Sequence, residues 1–314
     1  MLKIAIVGVG AIGKSHVKAI QQVEGCCLCA LCDLDEVKVR EMARTSDIPY
    51  FLDYREIPQK TQCDAVILNL PHFLHAEATE FFLRHGCHVL VEKPMANTVA
   101  ECDKMIRAAE SSGKKLAIAH VQRYFEANQL VRSIVESGEL GRFVGCCEQR
   151  SINYFADNRP RWFLDKKLAG GGIVMNYGAH ALDKIKFITN AHITDIDSVY
   201  GNFDNEYGVE GHAQFLAKLD NGTAMTVTFS AYTPVVYEDI FYFTKGAIRT
   251  VNSSTFSICR GGSWETTTVQ SNGKELEREI ADFVRYVKGE TSTIPTPDYG
   301  REIITAIERI YGVS

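Results

Sequence analysis

The sequence predicts an α/β chain in two parts, a doubly wound parallel-sheet domain over residues 1–120 and an α+β domain over 121–314 built on a large, mostly antiparallel sheet. Three observations carry this. A length of 314 residues gives two domains at about 150 residues each. Up to residue 120 the apolar segments are short and unbroken and are separated by helical patterns, as in a parallel sheet buried on both faces. Beyond it they lengthen and alternate with period two.

Residues 2–7 form the first apolar run, followed by a glycine-rich turn, a helical stretch through Ile20 and a cysteine-rich strand ending at Cys32, a βαβ order. Strands are expected at 65–68, 89–91 and 116–119, with helices near 73–85 and 98–112 between them. A helix near 126–136 opens the second part. From 142 onward alternation takes over. Ala213, Phe215, Ala217 and Leu219 share one face, and Met225, Val227 and Phe229 follow the turn Asp220-Asn221-Gly222, so the segment reads as a hairpin. Lys245-Gly246 and Arg260-Gly261-Gly262 punctuate further strands, and amphipathic helices near 274–288 and 299–311 close the chain.

Composition excludes several functions. Lys and Arg number 34 against 39 Asp and Glu, a net charge of −5, which offers nothing to nucleic acid. No apolar run reaches the ~18 residues of a membrane-spanning helix, and the chain opens on Met1-Leu2-Lys3 without a signal-peptide pattern. The expectation is a cytoplasmic protein without membrane or nucleic-acid partners. Ten cysteines, four of them within 26–32 and two at Cys146-Cys147, raise the question of a metal. Neighbours on a strand point to opposite faces and cannot converge on one tetrahedral centre, so they read as reduced core residues. His72, His75, His85 and His88 come without a complete ligand set, so no metal is expected.

Gly8-Val9-Gly10-Ala11-Ile12-Gly13 is a GxGxxG between a strand and a helix. The first glycine permits the tight turn, the second lets backbone approach a pyrophosphate, and the third lets helix and strand pack closely. The helix N-terminus then faces the phosphates. Asp33 stands twenty residues after Gly13, where a carboxylate accepts hydrogen bonds from the adenosine ribose. That carboxylate repels a 2′-phosphate, and Leu34 and Asp35 supply no cation, so NAD is preferred over NADP. The first part therefore reads as a Rossmann dinucleotide-binding domain.

Two polar clusters suit chemistry. Glu92-Lys93-Pro94 follows an apolar strand, at the carboxyl end where open α/β sheets bind ligands. The run from Gly170-Gly171-Gly172 to Asp183 places Asn176, His180 and Asp183 on one face if 176–183 is helical. A lysine to hold an oxygen and a histidine to exchange its proton suit interconversion of alcohol and carbonyl. His16 is expected to pack within its helix, and Asp183 to cap or brace its own.

These motifs resemble the Gfo/Idh/MocA family, the oxidoreductases like glucose-fructose oxidoreductase and inositol 2-dehydrogenase. The likeness runs nearly end to end: the glycine motif at 8–13, the segment from Asp64 through Pro71 to His75, the EKP at 92–94, the cluster with Asn176, His180 and Asp183, and Glu279 to Phe283. It implies a role for each matching residue. Lys93 binds the substrate oxygen and lowers its proton affinity, and His180 exchanges the proton; with Asn176 they meet the substrate. Gly8, Gly10, Ala11, Ile12, Gly13 and Asp33 hold the dinucleotide. Glu92 lies against the cofactor, and Pro94 commonly follows a cis bond in this family. Leu70, Pro71 and His75 line the ribose and nicotinamide side, while Arg123, Arg161 and Trp162 reach the nicotinamide end.

Asn176 departs from the family pattern, since many members carry Asp there. A carboxylate favours the imidazolium form of a nearby histidine, whereas an amide only orients and hydrogen-bonds. Branches with Asn exist, so activity is expected, but specificity for inositol or free glucose does not carry over. The leading expectation is hydride transfer between NAD(P) and a secondary alcohol or ketone of a sugar, polyol or sugar derivative. The alternatives are an NAD-retaining glycoside hydrolase and a non-catalytic NAD-binding regulator. The resemblance further implies a homodimer or homotetramer joined through the C-terminal sheet. Loops near 150–162 and 232–240 choose the substrate.

Overall fold

The computed structural model describes residues 1–203, 206–269 and 271–312. They form two compact units, Met1–Val121 with Gly273–Arg301, and Gln122–Asn272 with Glu302–Ser314.

In the first unit β1 (Leu2–Val7), α1 (Ala11–Ile20), β2 (Cys26–Cys32), α2 (Glu36–Ser46), β3 (Tyr50–Phe51), α3 (Ile57–Lys60), β4 (Ala65–Leu68), α4 (His75–Arg84), β5 (His88–Glu92), α5 (Val99–Ser112) and β6 (Leu116–Ala119) succeed one another. The sheet is parallel throughout, in the order β3-β2-β1-β4-β5-β6. The order reverses between β1 and β4, which makes a ligand crevice at the carboxyl ends of those strands. Ile4 to Val7, Ala65 to Leu68 and Leu116 to Ala119 are at most 1% exposed, as unbroken apolar strands between two helix layers must be. Local chemistry sets the helix ends: Thr98 and Glu101 form a reciprocal capping box on α5, which stops at Gly113 in the left-handed region.

In the second unit α6 (Glu126–Ser137), β7 (Phe143–Ser151), α7 (Lys166–Ala169), α8 (Ala179–Thr189) and β8 (Ile193–Gly201) lead to β9 (His212–Leu219), β10 (Ala224–Ser230), β11 (Tyr237–Phe243), β12 (Gly246–Val251), β13 (Thr255–Arg260) and β14 (Ser263–Thr268). The sheet order is β14-β13-β12-β11-β7-β10-β9-β8, and only the β7/β10 pair is parallel. The expected hairpin is β9/β10, with Gly222 at φ 80 in its turn. Ala213, Phe215, Ala217 and Leu219 are no more than 4% exposed, so period two marks the covered face. Every residue from Ala179 to Ile188 of α8 is buried.

The closing helices α9 (Glu275–Lys288) and α10 (Pro297–Ile310) depart from the expected division. Residues 273–301 belong to the first unit, so the second is not the continuous stretch 121–314. The physical reason is the apolar stripe of α9: Ile280, Phe283 and Val284 join the core of Ile4, Ile6 and Ile20. Arg301 pairs with Asp103 (2.6 Å), and Ile118 N–H donates to Pro295 O (3.0 Å), fixing the return. Amphipathic periodicity announces these helices but not the sheet they cover. No helix among the described residues is long and apolar enough to cross a membrane, and no cysteine is in a disulfide.

One histidine gives the first unit a pH-dependent stability. His88 Nδ1 accepts the Lys115 N–H (2.9 Å), and burial, then the charge of Lys114, pull its pKa down to about 4. It is neutral in the fold, while the unfolded chain takes a proton near pH ~6.5. Its contribution is therefore complete above that pH and lost as pH falls toward 4. The urea midpoint is expected to drop across that window, and a His88→Asn variant to drop less steeply; equal slopes would remove His88 as the cause.

Candidate active site

The glycine loop stands at the switch point of the first sheet. Gly8 has φ 90, and a Cβ there would collide with the Asn69 carbonyl. A Cβ on Gly13 would strike the Gly8 carbonyl oxygen. Each glycine is thus demanded by backbone packing against backbone. Gly10 differs: a Cβ there would meet nothing within 4 Å, and as N-cap of α1 it offers no side chain to the helix N-terminus. That leaves room for an anion before Ala11, Ile12 and Gly13. Asp33 clips the loop to the end of β2, its Oδ2 accepting Val9 N–H (2.7 Å) and its Oδ1 accepting Asp35 N–H (2.9 Å). The carboxylate keeps lone pairs for a ribose, so these residues fit a bound dinucleotide.

At the end of β5 the Lys93-Pro94 bond is cis. Glu92 Oε2 accepts Lys93 N–H (3.1 Å), and Glu92 Oε1 lies 3.3 Å from Nε2 of the fully buried His16. Burial pushes the Glu92 carboxyl up, but the His16 hydrogen bond and the charges of His16, Lys93 and His75 outweigh it and hold it below the usual range. His75 is also fully buried. Its Nε2 faces Leu70 O (2.8 Å) and its Nδ1 faces Pro94 O (2.9 Å), so it ties the Leu70-Pro71 turn to the EKP turn. Burial holds its pKa down against those two carbonyls.

In the second unit a π turn, Val174–Gly178, precedes α8, in place of the regular helix assumed for 176–183. Wide turns of this kind recur at functional sites. Asn176 and His180 are each 8% exposed and Asp183 is fully buried. Asn176 hydrogen-bonds Tyr154, whose hydroxyl donates to Gly172 O (3.3 Å). The glycine run has its reason here: a Cβ on Gly171 would strike the Tyr311 hydroxyl, and one on Gly172 the Glu210 backbone. The buried Glu210 carboxylate accepts Gly172 N–H and Val174 N–H (2.9 Å each) and Tyr311 O–H (2.7 Å), capping the π turn. Arg123 is buried and pairs with Asp183 (2.5 Å), so Asp183 braces the helix as expected. Arg161 is exposed and donates to Tyr207 O–H (3.2 Å), and Trp162 stacks on Phe163.

Known proteins carry the same two parts. Residues 2–120 match the Gfo/Idh/MocA oxidoreductase family with its NAD-binding Rossmann fold, and residues 128–249 match the family's C-terminal domain. The chain belongs to the Gfo/Idh/MocA family. Among its Gfo/Idh/MocA relatives, 1-carboxy-3-chloro-3,4-dihydroxycyclohexa-1,5-diene dehydrogenase of Comamonas testosteroni is 30% identical over 74% of this chain and 58% of its own. The 2,7-anhydro-N-acetylneuraminate hydratase of Mediterraneibacter gnavus is 25% identical over 78% of this chain and 66% of its own. The chain thus spans about three fifths of the length of these relatives. The solved aldose-aldose oxidoreductase of Caulobacter crescentus superposes with a TM-score of 0.90 at 24% identity, covering 99% of this chain and 97% of that one, which shows the shared fold.

Several residues of this Gfo/Idh/MocA chain escaped the sequence reading. His16 packs in its helix as expected, yet it also pairs with Glu92, 76 positions away. Glu210, Tyr154 and Tyr177 support the turn that carries Asn176. Behind α8 lies a buried set of charges: Lys184 Nζ bonds Glu148 Oε2 (2.9 Å) and both Asp239 oxygens (2.8 and 2.9 Å), and Arg150 pairs with Glu148 (3.1 Å). The available signal was parity. Glu148 and Arg150 share the covered face of β7 with Cys146, so these charges had to be inside.

Proposed function

We propose that the chain is an NAD(P)-dependent oxidoreductase that moves a hydride between the nicotinamide and a secondary alcohol or ketone of a sugar, polyol or sugar derivative. The observation that carries this is one edge of one sheet: the glycine loop, Asp33 and the Glu92-Lys93-Pro94 turn all stand at the carboxyl ends of β1, β2 and β5. Bound NAD supplies the acceptor or donor of hydride. Lys93 holds the substrate oxygen and lowers its proton affinity, His180 takes or returns the proton, and Asn176 orients without adding charge. Glu92, Leu70, Pro71 and His75 shape the cofactor side through the turns they tie together; Arg123, Arg161 and Trp162 are its proposed contacts from the second unit. The exposed Tyr242 and Trp264, 45% and 49% accessible, support a homodimer or homotetramer joined through the second sheet.

Asp33 supports NAD over NADP, and Lys38, the nearest cation of α2, is already paired with Asp35 (2.9 Å). A fluorescence titration with NADH and NADPH tests the reading. NADH is expected to bind more tightly, and Asp33→Ala to weaken NADH about ten- to hundredfold, the worth of a hydrogen bond to a charged group. NADPH should weaken less, so the preference narrows. A folded protein that binds neither nucleotide overturns the proposal, and tightly retained NAD without net NADH formation favours the glycoside-hydrolase alternative.

A further inference from the structure

Not every buried donor behind His180 has an acceptor. Arg150 points from β7 to the covered face and is 4% exposed. Its Nε sits 3.1 Å from Glu148 Oε1, and its Cζ lies 3.7 Å from the centre of the Tyr237 ring and 5.3 Å from that of Tyr177. Tyr177 follows Asn176 in the π turn, and its ring centre is 6.2 Å from that of His180. Among the described residues, the buried Nη2 of Arg150 has no hydrogen-bond partner. A second guanidinium repeats the arrangement. Arg159 lies 3.9 Å over the Tyr154 ring, its Nε likewise lacks a partner, and Tyr154 holds Asn176. Each arginine thus stands one aromatic ring from the turn that bears Asn176 and leads into His180, with its flat face stacked and an edge donor unused.

An unsatisfied buried donor on a cation costs stability and calls for an acceptor that arrives from outside the fold. The donors sharpen the identity of that acceptor. Lys184 and Arg150 balance Glu148 and Asp239, and Arg159 and the capping Glu210 both act on Tyr154, so the local charge is even and the unused guanidinium edges decide. A carboxylate is favoured over a neutral hydroxyl, because it adds direct ionic attraction to the guanidinium and offers two oxygens to parallel N–H donors. A planar guanidinium fixed by stacking presents its N–H groups to the two oxygens of a carboxylate.

We propose that Arg150, with Arg159 beside the same turn, receives a carboxylate of the substrate, so that this protein selects hydroxy acids such as acidic sugars over neutral polyols. The proposal rests on the reading of Asn176 and His180 as the substrate side and narrows the substrate class. Arg150 is a specificity-determining residue, and the proton and hydride steps do not use it.

The test compares an acid with its isosteric amide by calorimetry on the full chain, with and without NADH: glycolate against glycolamide, and D-glucuronate against D-glucuronamide. The wild type is expected to bind each acid at least about tenfold more tightly than its amide, a difference of about 1.4 kcal/mol. Arg150→Gln should bring that ratio close to one. Arg150→Lys keeps the charge that Glu148 needs for folding but loses the planar fork, and should reduce the ratio severalfold. A purely structural arginine would weaken acid and amide together and leave the ratio alone. Acid and amide bound alike by the wild type, no binding of either, or a ratio kept in both variants overturns the proposal. The arm without NADH separates the two readings: loss of nucleotide binding alone bears on the cofactor assignment and leaves the carboxylate result standing.

Discussion

Lys93→Ala is expected to lower kcat by about 10²- to 10³-fold, the cost of removing a positioned donor to an oxygen that gains negative charge, while NADH affinity stays close to wild type. The main chain at this position does not depend on the ammonium. Glu92 Oε2 holds the Lys93 N–H (3.1 Å), and His75 secures the following turn through Pro94 O (2.9 Å). The substitution therefore removes the group proposed to bind the oxygen and leaves the turn that presents it. Arginine is not a substitute, because its rigid fork places charge differently from a compact ammonium. Lys93→Arg should recover little. Steady-state rates at saturating NAD, beside the NADH titration, separate chemistry from cofactor binding. Unchanged turnover in Lys93→Ala would remove this residue from the mechanism, and lost NADH binding would recast it as a cofactor ligand.

Lys184→Met is expected to cost about 3–5 kcal/mol of folding stability, as for a broken buried ion pair. Lys184 is 1% exposed, yet it is held charged: burial works against the ammonium, and Asp239 and Glu148 outweigh it and raise its pKa. Without it, two buried carboxylates face Arg150 alone. Asp239 is poised to suffer most, since burial already raises its carboxyl, and the Thr250 O–H that it also accepts (3.0 Å) carries no charge. Adding Asp239→Asn to Lys184→Met leaves Glu148 and Arg150 as a balanced pair and should restore part of the loss. Urea unfolding of the three proteins checks this. A single variant as stable as wild type would show that the network contributes no net stability; a double variant no better than the single would show that charge imbalance is not the cause.

What the sequence discloses depends on how far apart the partners lie. Gly8, Gly10 and Gly13 constrain one another within a single turn, so their pattern is readable in six letters, and Asp33 reaches back to Val9 over 24 positions at a spacing the fold repeats. The glycine run before Asn176 is equally visible, but its cause is remote. Glu210 lies 38 positions from Gly172, and Tyr311 lies 136 from Met175. Nothing local to 170–172 says that a carboxylate and a phenol will close upon it. Strand parity puts Glu148 inside, but its partners Lys184 and Asp239 are not legible until β7 and β11 are paired and α8 is laid over them. Periodicity likewise finds α9 and leaves open whether it serves the nearer sheet or the earlier one.

That earlier sheet waits for its last helix. Ile280, Phe283 and Val284 fill the core around Ile4 and Ile6 only after some 270 residues have been made, so a chain emerging from the ribosome carries its nucleotide-binding sheet incompletely covered while the whole of the second sheet is synthesised. Contacts closed over such a distance form late, and exposed apolar surface held that long invites association. The first unit therefore cannot complete its core until the segment that makes the second has been synthesised.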